Sequence, residues 1–164
     1  MQDNKLIKAL ILNAQYGNNS AYQQLYQMTL EQIYVLVLRL VFDQSTAENL
    51  TKKTYINAWQ KISQKDESAT IINWFKKIAV ETILSEKSEY PKISNSQLEN
   101  KFFSENLLEK CIQKQAFKNK LIFILHDVES FSFEEINKLT GTSNDEIKTL
   151  LVGTRENIIK LTEE

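Results

Sequence analysis

Three glycines and one proline in 164 residues leave this chain very few places to turn sharply. A many-stranded sandwich or barrel needs turn residues every few positions, whereas a helix needs them only at its ends. The scarcity therefore points to long helical segments, and the spacing of apolar residues agrees. Leu6, Ile7, Leu10, Ile11 and Ala14 recur at helical spacing until Gly17-Asn18-Asn19-Ser20 stops the run. A longer helix follows, with Tyr22, Leu25, Tyr26, Ile33, Leu36, Val37, Leu40 and Val41 on a broad apolar face, broken by Asp43-Gln44-Ser45-Thr46. Ser45 followed by Glu48 has the spacing of a capping box, in which hydroxyl and carboxylate each satisfy a free backbone N–H at a helix start. The helix so capped presents Ala47, Leu50, Thr51, Tyr55, Ala58, Trp59 and Ile62. After the polar stretch from Ser63 to Ser68, a fourth helix carries Ile71, Trp74, Phe75, Ile78, Ala79 and Ile83.

From Ser88 to Ser104 the pattern changes. This stretch holds the single proline, Pro91, and is rich in Ser, Asn, Glu and Lys, although Leu98, Phe102 and Phe103 predict that its end packs against something. Beyond it come a helix around Leu107 to Gln115 and another from Ala116 to about His126. Ser132 with Glu135 makes a second capping box and opens a short helix with Ile136 and Leu139. Gly141 marks a tight turn, and Ser143 with Glu146 makes a third capping box at the start of a final helix carrying Ile147, Leu151 and Ile158. Capped short helix, glycine turn and capped longer helix form a helix-turn-helix layout. The expected fold is all-α: two small helical domains, residues 1–88 and 105–164, joined by a linker over residues 89–104.

Composition narrows the function classes. No apolar run approaches the roughly 20 residues of a membrane span; the longest, Ile33 to Phe42, is interrupted by Arg39. The N-terminus lacks the pattern of a signal peptide, and one cysteine, Cys111, excludes an internal disulfide, so a reducing cytoplasm and no membrane insertion are expected. Net charge is −1, with no global basic signal for nucleic acid. Residues 1–90 carry 10 Lys/Arg against 9 Asp/Glu, and residues 91–164 carry 10 against 12, so any contact with DNA must rest on local patches.

Enzyme signatures are nearly absent. The single histidine, His126, has no nucleophile or second histidine arranged around it, and a site with one His and one Cys makes a poor metal centre. His126 reads as a helix-end or packing residue and Cys111 as a small core residue. There is no phosphate-cradling glycine loop, zinc-protease motif or nucleophile elbow. No catalytic residue, cofactor or metal is expected.

Two stretches together resemble the extracytoplasmic-function group of bacterial sigma factors. The first runs Asp43-x-x-x-Ala47-Glu48-Asn49-Leu50-x-Lys52-Lys53-x-Tyr55-x-x-Ala58-Trp59, followed by Trp74-Phe75-Lys76-Lys77-Ile78-Ala79. The second runs from Leu125-His126-Asp127-Val128 through Ser132-Phe133-Glu134-Glu135-Ile136 and on to Arg155. The resemblance implies a binding mechanism: a first domain that docks on core RNA polymerase and captures a melted promoter strand, and a helix-turn-helix that reads the upstream promoter element. An anti-sigma partner is implied as well. Carried onto this sequence, polymerase contact falls on Asp43, Glu48, Asn49, Lys52 and Lys53. DNA contact falls on Lys76 and Lys77, and on Asn144, Lys148, Thr149, Val152 and Arg155 of the final helix, whose N-terminal part would meet base edges.

The departures from the family pattern are specific. Asn49 replaces an Asp and Lys52-Lys53 replace Gln-Glu, changing the local charge by about +4. Glu81 and Ser85-Glu86-Lys87 stand where the family has an Asn and an Asp-Arg pair. Leu150 and Gly153 fall where arginines are common, leaving Arg155 alone of that set. From Ser132 to Glu164 there are 4 Lys/Arg against 7 Asp/Glu. A sigma-like protein that no longer reads promoters and acts as an interaction module is therefore the alternative. On that reading the final helix presents a solvated face, and Lys52-Lys53 and Lys76-Lys77 are ordinary surface lysines. An unrelated enzyme on a helical scaffold has almost no support in the residues.

Overall fold

A computed structural model of the chain describes residues 2–86 and 106–163. The expected linker over residues 89–104, with Leu98, Phe102 and Phe103, lies outside the described residues. All regular structure among the described residues is helical, and the chain divides into two compact units, Met1–Pro91 and Lys92–Glu164.

The first unit holds α1 (Gln2–Gln15), α2 (Asn19–Val41), α3 (Gln44–Lys61) and α4 (Ile71–Ser85), and α3 runs on into a 3-10 turn at Ile62–Gln64. The long α2 is the central element and packs against α1, α3 and α4. Its Leu25, Ile33, Leu36, Val37 and Leu38 are wholly buried, as are Ala47 and Ala58 of α3 and Phe75, Ala79 and Ile83 of α4. Burial of each large aliphatic side chain is worth about 1.5–3 kcal/mol, and this, more than propensity, holds the helices together. An aromatic cluster crosses the interface: the Tyr22 ring lies 4.8 Å from Trp59, and the Tyr55 ring 5.0 Å from Phe75. Their hydroxyls stay satisfied, since Tyr22 donates to the Tyr55 carbonyl at 2.6 Å and Tyr55 Oη shares a hydrogen with Thr29 Oγ1 at 2.8 Å. Burial raises both phenols well above their ordinary pKa.

This unit differs from the sequence expectation at two places. Asp43, not Ser45, caps α3: its carboxylate accepts from the Thr46 backbone N–H at 2.7 Å, so the helix begins at Gln44. The Glu48 carboxylate accepts from Gln44 Nε2 at 3.1 Å instead of closing a box. Asp caps as well as Ser does, and the preceding Phe42, held in the left-handed region at φ 56° with its N–H on the Leu38 carbonyl, ends α2 one residue earlier. Leu6 is the second exception: it is exposed, while Leu10 and Ala14 carry the buried stripe of α1.

The second unit holds α5 (Leu107–Gln113), α6 (Phe117–Phe123), α7 (Phe133–Thr140) and α8 (Asn144–Glu163). α8 packs against α5, α6 and α7 around Cys111, Ile112, Ile122, Leu125, Ile136, Ile147 and Leu151. α6 does not simply stop near His126 but widens into a π turn over Ile124–Val128, with the Glu129 N–H on the Ile124 carbonyl at 2.9 Å. Ser132 and Glu135 form the expected reciprocal capping box of α7. Gly141 ends α7 at φ 70°, a left-handed cap that only glycine adopts without strain. At the start of α8 the box is half made: the Glu146 N–H donates to Ser143 Oγ at 3.3 Å, but the Glu146 carboxylate turns to Lys118 at 2.5 Å.

Candidate functional site

The residues read as a polymerase-docking set share α3, and the helix divides cleanly. Ala47, Leu50, Thr54, Tyr55 and Ala58 face the core, leaving Glu48, Asn49, Lys52 and Lys53 exposed on the opposite side. The two lysines are not equivalent. Lys53 Nζ lies 2.6 Å from a Glu86 carboxylate oxygen, while the Lys52 side chain is exposed. Asp43 is only half exposed, and its carboxylate holds the start of α3. The same face carries a residue absent from the sequence-based set: Ile56, 59% exposed. Its signal was present in the sequence, since Ile56 is the apolar residue of α3 that falls off the buried stripe.

Beside this face a groove of about 500 Å³ lies between α2 and α3, with Tyr26, Leu30 and Tyr34 on one wall and Glu48 and Lys52 on the other. Burial, and then the nearby Glu48 carboxylate, raise the Tyr34 phenol above its usual value. Thr51 lines the groove, and its buried hydroxyl has no hydrogen-bond partner. A larger cavity of about 800 Å³, bounded by α1, α2 and residues 65–72, holds none of the predicted residues. Its loop is built around Lys65, whose ammonium donates to the carbonyls of Asp66 and Ala69 at 2.7 and 2.8 Å. Gln15 ties the same loop to α1 by donating to the carbonyls of Ile62 and Lys65.

Lys76 and Lys77 sit on α4 beside Trp74 and Phe75. Phe75 is fully buried, whereas Trp74, Lys76 and Lys77 are half-buried, so the lysine pair lies alongside an accessible indole.

On α8 the inward stripe is Ile147, Leu151, Thr154 and Ile158. Asn144, Lys148, Thr149, Val152 and Arg155 all lie on the exposed side, as the apolar spacing predicts. Their chemistry is less cationic than their identities imply. Lys148 Nζ approaches Asp145 at 3.7 Å, a loose surface pair. Thr149 Oγ1 is turned back to the Asp145 carbonyl at 2.9 Å. Arg155 makes a two-pronged contact with Asp127 in the π turn, Nε to Oδ2 at 2.8 Å and Nη2 to Oδ1 at 2.6 Å. These hydrogen bonds, with a lesser one from His126, hold the Asp127 carboxyl below its ordinary value. His126 packs against Phe133 with ring centroids 5.1 Å apart. The sequence placed Arg155 outward among the candidate DNA contacts; the structure gives it an intramolecular anion.

Among the described residues no three His, Cys, Asp or Glu side chains converge as a metal site would require, and no helix is long and apolar enough to cross a membrane.

No protein-family model matches the chain, and no curated protein matches it. Solved structures do. CnrH, in its complex with the cytosolic domain of CnrY, superposes with a TM-score of 0.70 at 15% identity, covering 96% of this chain and 97% of that one. The sigma factor RpoE of Bartonella quintana, crystallised with the anti-sigma factor NepR, superposes with a TM-score of 0.68 at 17% identity, covering 87% and 96%. The all-α fold of this chain is thus that of a sigma factor.

Proposed function

We propose that this chain is a transcription initiation factor of the extracytoplasmic-function sigma group, which binds core RNA polymerase through α3 and engages promoter DNA with both domains. It works by binding, with no reaction of its own, in the bacterial cytoplasm. The observation that carries the proposal is the placement of the two motif stretches. Each contributes polar residues to an accessible face of its own helical unit, within a fold that superposes on RpoE over 87% of this chain. The exposed face of α3, with Glu48, Asn49, Lys52, Lys53 and the apolar Ile56, supplies a docking surface for the polymerase. Lys76 and Lys77 beside Trp74 offer a cation and a stacking plane to a melted strand. Asn144, Lys148, Thr149 and Val152 on the first turns of α8 are placed to meet base edges in a major groove.

The two neighbouring structures were each solved with a second protein, and that of RpoE is an anti-sigma factor. An anti-sigma partner for this chain is part of the proposal on that account.

A second reading, an interaction module that no longer reads promoters, is favoured by one observation. Three cations on or near the candidate DNA-facing helix are paired with acids of the same unit: Arg155 with Asp127, Lys118 with Glu146 and Lys148 with Asp145. Phosphate contacts supply most of the affinity of DNA-binding proteins, so the isolated chain should bind duplex DNA weakly and with a shallow salt slope. The test is to challenge core polymerase, with and without the chain, with fragments of the host genome. The sigma reading expects selection of a common promoter sequence only with the chain present. Enrichment of no sequence by a complex shown to form would favour the interaction module.

A further inference from the structure

We infer that Asp127 is an intramolecular competitor of DNA for Arg155, an autoinhibitory contact built into the turn before the helix-turn-helix. The inference rests on the proposal that α8 faces DNA. Arg155 projects from α8 near the edge of its exposed face, seven residues and about 10 Å along the helix from Lys148. Asn144, Lys148 and Arg155 fall within a narrow arc of the helical wheel, so a freed guanidinium would extend the stripe on which Lys148 lies. As the chain stands that extension is missing. The Arg155 side chain is 47% accessible, yet two of its N–H groups are spent on a carboxylate that keeps only 19% of its own accessible surface.

The geometry is the one a phosphate would use, since a guanidinium fork matches carboxylate and phosphate oxygens alike. Asp127 is moreover held in place by its surroundings. It belongs to the π turn Ile124–Val128, its Oδ1 lies 2.6 Å from His126 Nδ1, and His126 is itself packed on Phe133. A carboxylate so fixed gives up its partner only to a stronger or better-placed anion. DNA positioned by the polymerase supplies such an anion; free duplex does not. The contact therefore suppresses binding to stray duplex while leaving Arg155 available in the assembled complex.

The experiment compares the full chain with three variants, Asp127→Asn, Arg155→Gln and the double substitution. Binding of each to a fluorescent duplex of about 30 base pairs is titrated at several salt concentrations, with thermal melts to establish folding. Releasing one arginine to a phosphate should steepen the log–log salt slope by about 0.9 and tighten binding about tenfold at about 50 mM salt. Arg155→Gln alone should bind no more tightly than the parent, and the double variant should lose the gain of Asp127→Asn. A folded Asp127→Asn protein with wild-type slope would overturn the inference. So would a double variant that keeps the steeper slope, because the gain would then not come through Arg155; Asp127→Ser supplies the same comparison if Asp127→Asn fails to fold. Either failure leaves the binding of core polymerase, and with it the sigma reading, to be judged separately.

Discussion

Lys53 on α3 and Glu86 at the end of α4 meet at 2.6 Å, so one of the two lysines on the candidate docking face is drawn toward its own domain. Lys52, one residue earlier, is exposed beside the groove that Tyr34 and Glu48 line. The charge this face offers a partner therefore comes chiefly from Lys52. Lys52→Glu is expected to weaken binding to the host's core polymerase about tenfold, mainly through the association rate and with an altered salt dependence, whereas Lys53→Gln shifts it less than about threefold. Stopped-flow association at two salt concentrations checks this ordering.

Asp43 serves two expectations that a pair of substitutions separates. As the cap of α3 it accepts the Thr46 N–H, so Asp43→Ala should destabilise the first unit by about 1 kcal/mol. Asparagine caps equally well, and Asp43→Asn should melt within a degree or two of the parent. Retention of polymerase binding by Asp43→Asn would assign the residue to helix capping; loss of binding at unchanged stability would assign its charge to the partner.

Lys120 on α6 is 5% exposed, and its ammonium donates to Gln113 Oε1 at 3.0 Å. Desolvation pushes its pKa down to about 8, against 10.5 for the free side chain. The unfolded chain consequently binds more protons than the folded chain between about pH 8 and pH 10.4, and linkage makes stability rise with pH across that window. Below it, the buried charge costs the second unit on the order of 3 kcal/mol. Lys120→Met should raise the melting temperature at neutral pH and flatten the rise between pH 8 and 10, a comparison that calorimetry makes directly.

Two backbone positions in the second unit carry residues ill suited to them. Ser130 has φ 59°, in the left-handed region that costs a non-glycine residue about 1 kcal/mol, so Ser130→Gly should stabilise by roughly that amount. Gly153 lies within α8 in ordinary helical conformation, and a Cβ built there meets no atom within 4 Å. Gly153→Ala should add up to about 1 kcal/mol, read as a shift in the urea midpoint at unchanged m-value.

Much of the fold was legible because helices announce themselves locally. The apolar spacing of Leu25, Ile33, Leu36 and Leu40 located α2, and Ser132-x-x-Glu135 with Gly141 located α7 to the residue. What escaped reading depends on contacts between distant residues. Ser45 and Asp43 are both competent caps, and the choice was made by Phe42 closing α2 in the left-handed region. Glu146 had the spacing for a box, but Lys118, 28 residues away, offered an opposite charge at 2.5 Å. The π turn at Ile124–Val128 carries no glycine or proline to mark it. Without that turn, nothing in the sequence brings Asp127 to Arg155, so the one arginine left on the candidate DNA face looked free. The candidate residues on α3 and α8 lie on exposed faces, as the apolar spacing predicts; their ion pairs were not readable from sequence.

The central claim is that this fold still serves RNA polymerase, and co-elution of the purified, folded chain with core RNA polymerase from its host at moderate salt tests it most directly. The account predicts a stable one-to-one complex, formed without DNA and weakened by Lys52→Glu. Elution of the two as separate peaks would contradict it and leave the fold as a scaffold for some other protein partner.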